Sequence, residues 1–146
     1  MGRRRKAREY ALQVLFQIDL TAVAARTALD QFWTDHEAKP DERSFAESLV
    51  SGVLEQRREL DRWIAGSADN WRIERMAVVD RNVLRVAVHE LLNEEQTPPP
   101  VVIDEAVAVA KRFGSGDSGG FINGVLDSIR LRLEKERSES TSAWNG

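Results

Sequence analysis

Gly114-Ser115-Gly116-Asp117-Ser118-Gly119-Gly120-Phe121 (GSGDSGGF) is compatible with three different folds, and the choice among them decides how the whole chain is read. Gly116-Asp117-Ser118-Gly119-Gly120 matches the string around the nucleophile of chymotrypsin-like serine proteases, which are double β-barrels. Gly114, Gly116 and Gly119 spell G-x-G-x-x-G, which follows a strand when it cradles a dinucleotide. The third reading is a connection between two helices. A protease serine needs a histidine base, an orienting acid and an oxyanion hole in one arrangement. Only His36 and His89 are present, each in a helical pattern, and no barrel strands accompany them. A helix precedes the glycines where the dinucleotide reading requires a strand. No Gly-Lys-Ser/Thr follows, so a P-loop fails as well. The connection remains.

Outward from that corner, apolar residues recur at helical spacing in both directions. Ile103, Val107 and Ala110 predict a helix from about Val101 to Phe113, with Gly114 as its C-terminal glycine. Phe121, Val125, Ile129 and Leu133 predict another, ending near Glu136. Leu84, Ala87, Val88, Leu91 and Leu92 form a strong stripe that Thr97-Pro98-Pro99-Pro100 stops. Ile73, Met76, Ala77 and Val79 suggest a short helix before it, and Asp80 is placed to cap the stripe that follows. In the first half, Ala7, Ala11, Val14, Leu15 and Ile18 lie on one face of a helix from Arg3 to about Leu20. Leu29, Phe32 and Trp33 mark a short helix over Thr27 to Asp35. Pro40 breaks the chain, and Asp41 is the expected N-cap of one long helix carrying Phe45, Leu49, Val53, Leu60 and Ile64 to near Gly66. No segment shows strand alternation. The expectation is an all-α protein of about seven helices in two small packed bundles, residues 1–69 and 70–136, with a disordered polar tail over 137–146.

Composition narrows the function. The 146 residues are enough for one compact domain, with 42% apolar and 31% charged residues. The longest apolar run, Ala106 to Ala110, is five residues, far short of a membrane span. With no cysteine, thiol nucleophiles, thiolate metal sites and disulfides are excluded, which fits a cytoplasmic protein. The net charge of -3 conceals a segregation. Arg3, Arg4, Arg5, Lys6 and Arg8 place five of the 21 basic residues in the first eight positions, leaving 16 against 24 acids. A basic arm on an acidic body points to a polyanion, most simply nucleic acid. Organelle import and a merely solvated terminus are the rival readings.

At the corner, Asp117 or Ser118 can cap the following helix, and Gly119 and Gly120 leave backbone N–H groups available to an anion. Phe121 either offers a platform for an unstacked base or packs into the core. Other candidates are weaker. The histidines lack metal spacing. Glu94-Glu95 and Glu134/Glu136 read as solvated charge, and Trp33, Trp63 and Trp71 as packing. No catalytic constellation, cofactor motif or metal set is expected.

Four stretches in register resemble the NusB family of bacterial transcription antitermination factors. Arg4-Arg5-Lys6-Ala7-Arg8-Glu9 with Ala11-Leu12-Gln13-Val14-Leu15-Phe16 resembles its opening. Asp80 through Leu91 is similar to its central helix, and Val102 to Gly114 to the next. Asp117-Ser118-Gly119-Gly120-Phe121-Ile122-Asn123-Gly124-Val125-Leu126-Asp127 resembles its closing signature. The likeness is weakest from Val23 to Lys39. It implies a helical, non-enzymatic adaptor that binds single-stranded boxA RNA together with NusE, a ribosomal protein of the small subunit, and supports an antitermination complex on RNA polymerase. By position it implies that Arg3, Arg4, Arg5, Lys6 and Arg8 contact phosphates, that Asp117, Ser118 and Phe121 belong to the RNA-contacting loop, and that Asp80 faces NusE. Gly119 and Gly120 stand where some members carry a basic residue or proline, which implies a less cationic loop. A homodimer with an occluded RNA surface is the alternative state.

Overall fold

The computed structural model describes residues 2–68, 72–93 and 96–145, with side chains as far as 140. Trp71 and Glu94-Glu95 lie outside the described residues. Among the described residues seven α-helices follow one another: α1 Gly2–Thr21, α2 Ala25–Asp35, α3 Pro40–Glu55, α4 Arg57–Ser67, α5 Val78–Asn93, α6 Pro99–Phe113 and α7 Ser118–Asn145. A 3₁₀ turn, Ile73–Arg75, precedes α5.

The centre of the molecule is α5, which packs against α1, α3, α4, α6 and α7. Its stripe is so wide that Val83, Leu84, Val86, Ala87, Val88 and Leu91 are all buried, as expected for a helix surrounded on most sides. Each fully buried Leu or Ile contributes about 1.5–3 kcal/mol through loss of apolar hydration, and Leu60, Ile64, Leu84, Ile122 and Ile129 are at 0% exposure. One continuous apolar cluster runs from Ala11 to Leu133, so the two halves of the chain share a core. A small second cluster, Ala7, Tyr10 and Ala46, seats the start of α1 on α3.

Asn82, Arg85 and Asp19 are paired inside this core. Asn82 donates to Asp19 and to the Val78 carbonyl. Arg85, buried, forks onto Asp61 and also reaches Asp19. Burial alone would raise the Asp19 carboxyl. Hydrogen bonds from Arg81 and Asn82, with the charges of Arg81 and Arg85, outweigh it and hold the group below its usual range.

Four expectations are corrected. The long helix over 41–66 is two helices, broken at Gln56, whose backbone (φ -107°, ψ 12°) leaves the helical region. The His89 ring presses against Gly52 there, and Gln56 binds His89 and Asn93. Pro40 opens α3 as its first residue and does not merely interrupt the chain. The N-cap is Lys39, whose N–H bonds Glu42, while Asp41 lies in the first turn. Asp80 is the third residue of α5, since the helix starts at Val78. The tail is helical to Asn145, and Arg137 donates to the Leu91 carbonyl beyond the predicted end.

Candidate nucleic-acid interface

The five cations of the arm do different jobs. All sit on α1, but helical geometry turns them in different directions. Arg8 points inward: it is 5% exposed and forks onto the equally buried Glu90 of α5 at 2.8 and 2.7 Å. It is a core ion pair, so its expected place among the phosphate ligands is corrected. Arg5, half-buried, forks onto Glu105 of α6 at 2.6 and 3.3 Å. Arg3 bonds Asp41 at the start of α3, and that bond draws the Asp41 carboxyl below its usual range. Arg4 and Lys6 are exposed and lie over aromatic faces, Arg4 4.4 Å from the Phe45 ring centre and Lys6 5.5 Å from Tyr10. These contacts orient the cations.

The corner is built by close approach. Gly114 ends α6 with φ -97°, outside the left-handed region, so the αL cap expected of it is absent. Its glycine identity has another cause. A Cβ there would collide with Ser118 Oγ and lie 2.8 Å from the Ala110 carbonyl. Ser118 Oγ accepts the Ser115 N–H at 2.9 Å, and the Ser118 N–H returns to the Ser115 carbonyl. Ser118, 1% exposed, is therefore the staple of the corner, and its side chain is not offered to a ligand. Asp117, Gly116 and Gly120 are exposed. Phe121 is half-buried, with part of its ring against the core.

Two cations that the sequence reading passed over belong to this corner. Lys111, exposed, lays its stem over Gly119, where a Cβ would stand 3.0 Å from Lys111 Cε and 3.1 Å from Cγ. Arg112, 60% exposed, bonds the buried Glu9 at 2.6 Å. Their signal was present: two adjacent basic residues in the last turn of a helix, next to a glycine-rich loop. The ion pairs also fix the layout. Arg5 meets Glu105 and Glu9 meets Arg112, so α6 runs alongside α1 in the same sense. Arg5 and Glu9 are one turn apart, about 6 Å, so the arm and the corner are neighbours joined by the Glu9–Arg112 bond.

On the next turns of α1, Phe16 and Gln17 line an open groove with Phe32, Val79 and Phe113. Leu20, one turn beyond Phe16, is 58% exposed. Asp80, beside Val79, has a buried Oδ1 with no hydrogen-bond partner among the described residues. Among these residues no group of His, Cys, Asp or Glu is arranged to hold a metal, and no helix is long and apolar enough to cross a membrane.

The NusB family profile matches residues 5–130. The chain belongs to the NusB family. It is 49% identical over 139 residues to the transcription antitermination protein NusB of Anaeromyxobacter dehalogenans, covering 93% of this chain and 96% of that one. NusB of T. maritima superimposes with a TM-score of 0.80 at 34% identity, covering 88% of this chain and 90% of the other. A crystal structure of antitermination factors NusB and NusE in complex with dsRNA superimposes with a TM-score of 0.80 at 28% identity, over 90% of this chain and 98% of the matched one. The NusB resemblance of the opening, central and closing stretches thus extends to the whole fold.

Proposed function

We propose that this chain is a cytoplasmic, non-enzymatic transcription antitermination factor that binds single-stranded boxA RNA together with NusE and supports an antitermination complex on RNA polymerase. The observation that carries this reading is the joining of arm and corner into one cationic face by the Glu9–Arg112 bond. The likeness to the NusB–NusE complex with RNA supports it. Arg4, Lys6 and Lys111 present charge to the strand. Arg3, Arg5 and Arg112 give their positions to the face while held by Asp41, Glu105 and Glu9. These contacts set affinity, whereas Phe121 and Asp117 at the corner favour one base over another.

The NusE side is the groove flanked by Phe16, Leu20 and Val79. Asp80, half-buried and next to Val79, supplies the polar group of that side. The test is a titration of boxA and scrambled RNA at several salt concentrations, with and without NusE. Three phosphates held by Arg4, Lys6 and Lys111 give a slope of log affinity against log salt of about -2, at roughly -0.7 each. Preference for boxA that grows with NusE supports the reading. Equal, salt-insensitive binding of both RNAs refutes it.

A further inference from the structure

A second basic feature lies at the other end of α1. Arg57, Arg58 and Arg62 of α4 and Arg81 of α5 converge on an open cleft of about 820 Å³, whose lining holds five arginines, Arg85 included, with Asp61 and Glu74, while Glu55 and Glu59 adjoin the α4 arginines on the neighbouring surface. This stands out on a body whose acids outnumber its bases. Three of the arginines are used internally: Arg85 forks onto Asp61, Arg81 bonds Asp19 at 2.7 Å, and Arg57 stands 3.8 Å from Asp19. Arg58 and Arg62 are exposed and have no carboxylate partner among the described residues. They are four apart on one helix, a like-charge pair that weakens it. Arg57 and Arg58 also occupy its first turn, where cations oppose the helix dipole. Both choices cost stability, which Glu59 in the same first turn and the contact of Arg57 with Asp19 counter.

We propose that this cleft is a second, sequence-blind RNA site that grips the phosphate backbone of the strand flanking the element held at the corner. The inference rests on the RNA-binding reading above. Three observations favour a nucleic-acid strand over an acidic protein segment. The basic features follow one another along α1: the arm at Arg5 beside Glu105, the corner beyond Glu9 and Arg112, and the cleft at Asp19. Arg4 and Asp19 are 15 residues apart, about 22 Å along the axis, a span that a few nucleotides cover. The two unpartnered cations are both arginine, whose planar fork suits phosphate oxygens. Their spacing of one helical turn, about 6 Å, also suits successive phosphates of one strand.

A strand held at both ends gains from effective concentration, so binding depends on RNA length. The experiment measures anisotropy of the boxA element alone, the element extended upstream or downstream, and a long RNA lacking it. Each is titrated against the native chain, Arg58→Ala/Arg62→Ala and Arg58→Lys/Arg62→Lys, with NusE present. Extension on one side is expected to tighten binding about tenfold and to steepen the salt slope by about 1.4, for two phosphates at 0.7 each. The alanine pair loses only that gain and binds the short element as the native chain does. The lysine pair keeps most of it. Thermal melts of the alanine pair are expected to match or exceed the native value, because a repulsive pair is gone.

No gain from extension, or equal loss on short and long RNA, overturns the proposal. Unchanged RNA binding with weakened NusE binding also overturns it and assigns the cleft to a protein surface. If no RNA prefers the element but long RNA of any sequence depends on Arg58 and Arg62, the cleft stands and the boxA reading falls.

Discussion

Substituting Arg8 separates its structural role from the RNA-binding role that its neighbours suggest. The guanidinium and Glu90 carboxylate are 6% and 2% exposed and share two hydrogen bonds between α1 and α5. Arg8→Ala leaves Glu90 as an uncompensated charge in the core, at a cost of about 3–5 kcal/mol. For a chain of this size about 1 kcal/mol corresponds to 2–4 °C, so the melting temperature is expected to fall by about 6–20 °C. Arg8→Met/Glu90→Leu removes both charges while keeping the volume apolar, and is expected to recover most of that loss. Calorimetry reads the stability, and anisotropy with boxA RNA, measured well below each melting temperature, reads the affinity. The folded double variant is expected to bind RNA like the native chain, while Arg4→Ala/Lys6→Ala weakens binding with little change in melting. A double variant that melts normally and loses RNA affinity as the arm variant does would refute the assignment of Arg8 to the core.

Gly114→Ala forces a Cβ against Ser118 Oγ and the Ala110 carbonyl and is expected to cost about 1–3 kcal/mol, read by urea denaturation. Ser118→Ala in the same chain is expected to return part of it. Asp19 titrates below the unfolded carboxylate value, so its contribution is fully present above about pH 4 and is lost as pH falls through its folded pKa. Asp19→Asn is therefore expected to lower stability at neutral pH and to flatten the acid limb of a melting-temperature profile. Phe121→Ala is expected to narrow the difference between boxA and scrambled RNA, whereas Lys111→Ala weakens both alike, as competition titrations would show. Leu20→Asp is expected to weaken NusE binding in a pull-down while leaving binding of RNA by the chain alone intact.

Much of the fold was legible because the apolar stripes of α1, α5 and α6 have the helical period, and prolines and Gly114 mark the two ends of α6. The break between α3 and α4 was not, for a physical reason. Phe45, Leu49 and Val53 continue in phase to Leu60 and Ile64, so the pattern crosses Gln56 without a slip. The break is made by tertiary contact, with the His89 ring lodged at Gly52 and Gln56 turned to bind His89 and Asn93. The arm was legible as charge but not as roles. Arg8 is in phase with Leu12 and Leu15, a sign that it points inward, yet its partner Glu90 is 82 residues away. Ser118 was read as a cap or an RNA contact, and only the approach of Gly114 shows it as a staple. The corner was found from its glycines. Lys111 was missed because a stem lying over Gly119 is a matter of packing.

The account rests on arm and corner receiving one RNA strand together, and amide NMR shifts on titrating boxA RNA into the labelled chain test that directly. Residues 3–6 and 111–121 are expected to shift with one common affinity, and the Arg4→Ala/Lys6→Ala variant to weaken the response at both places equally. Shifts at the corner that persist unchanged in that variant, or shifts confined to either feature, would contradict it.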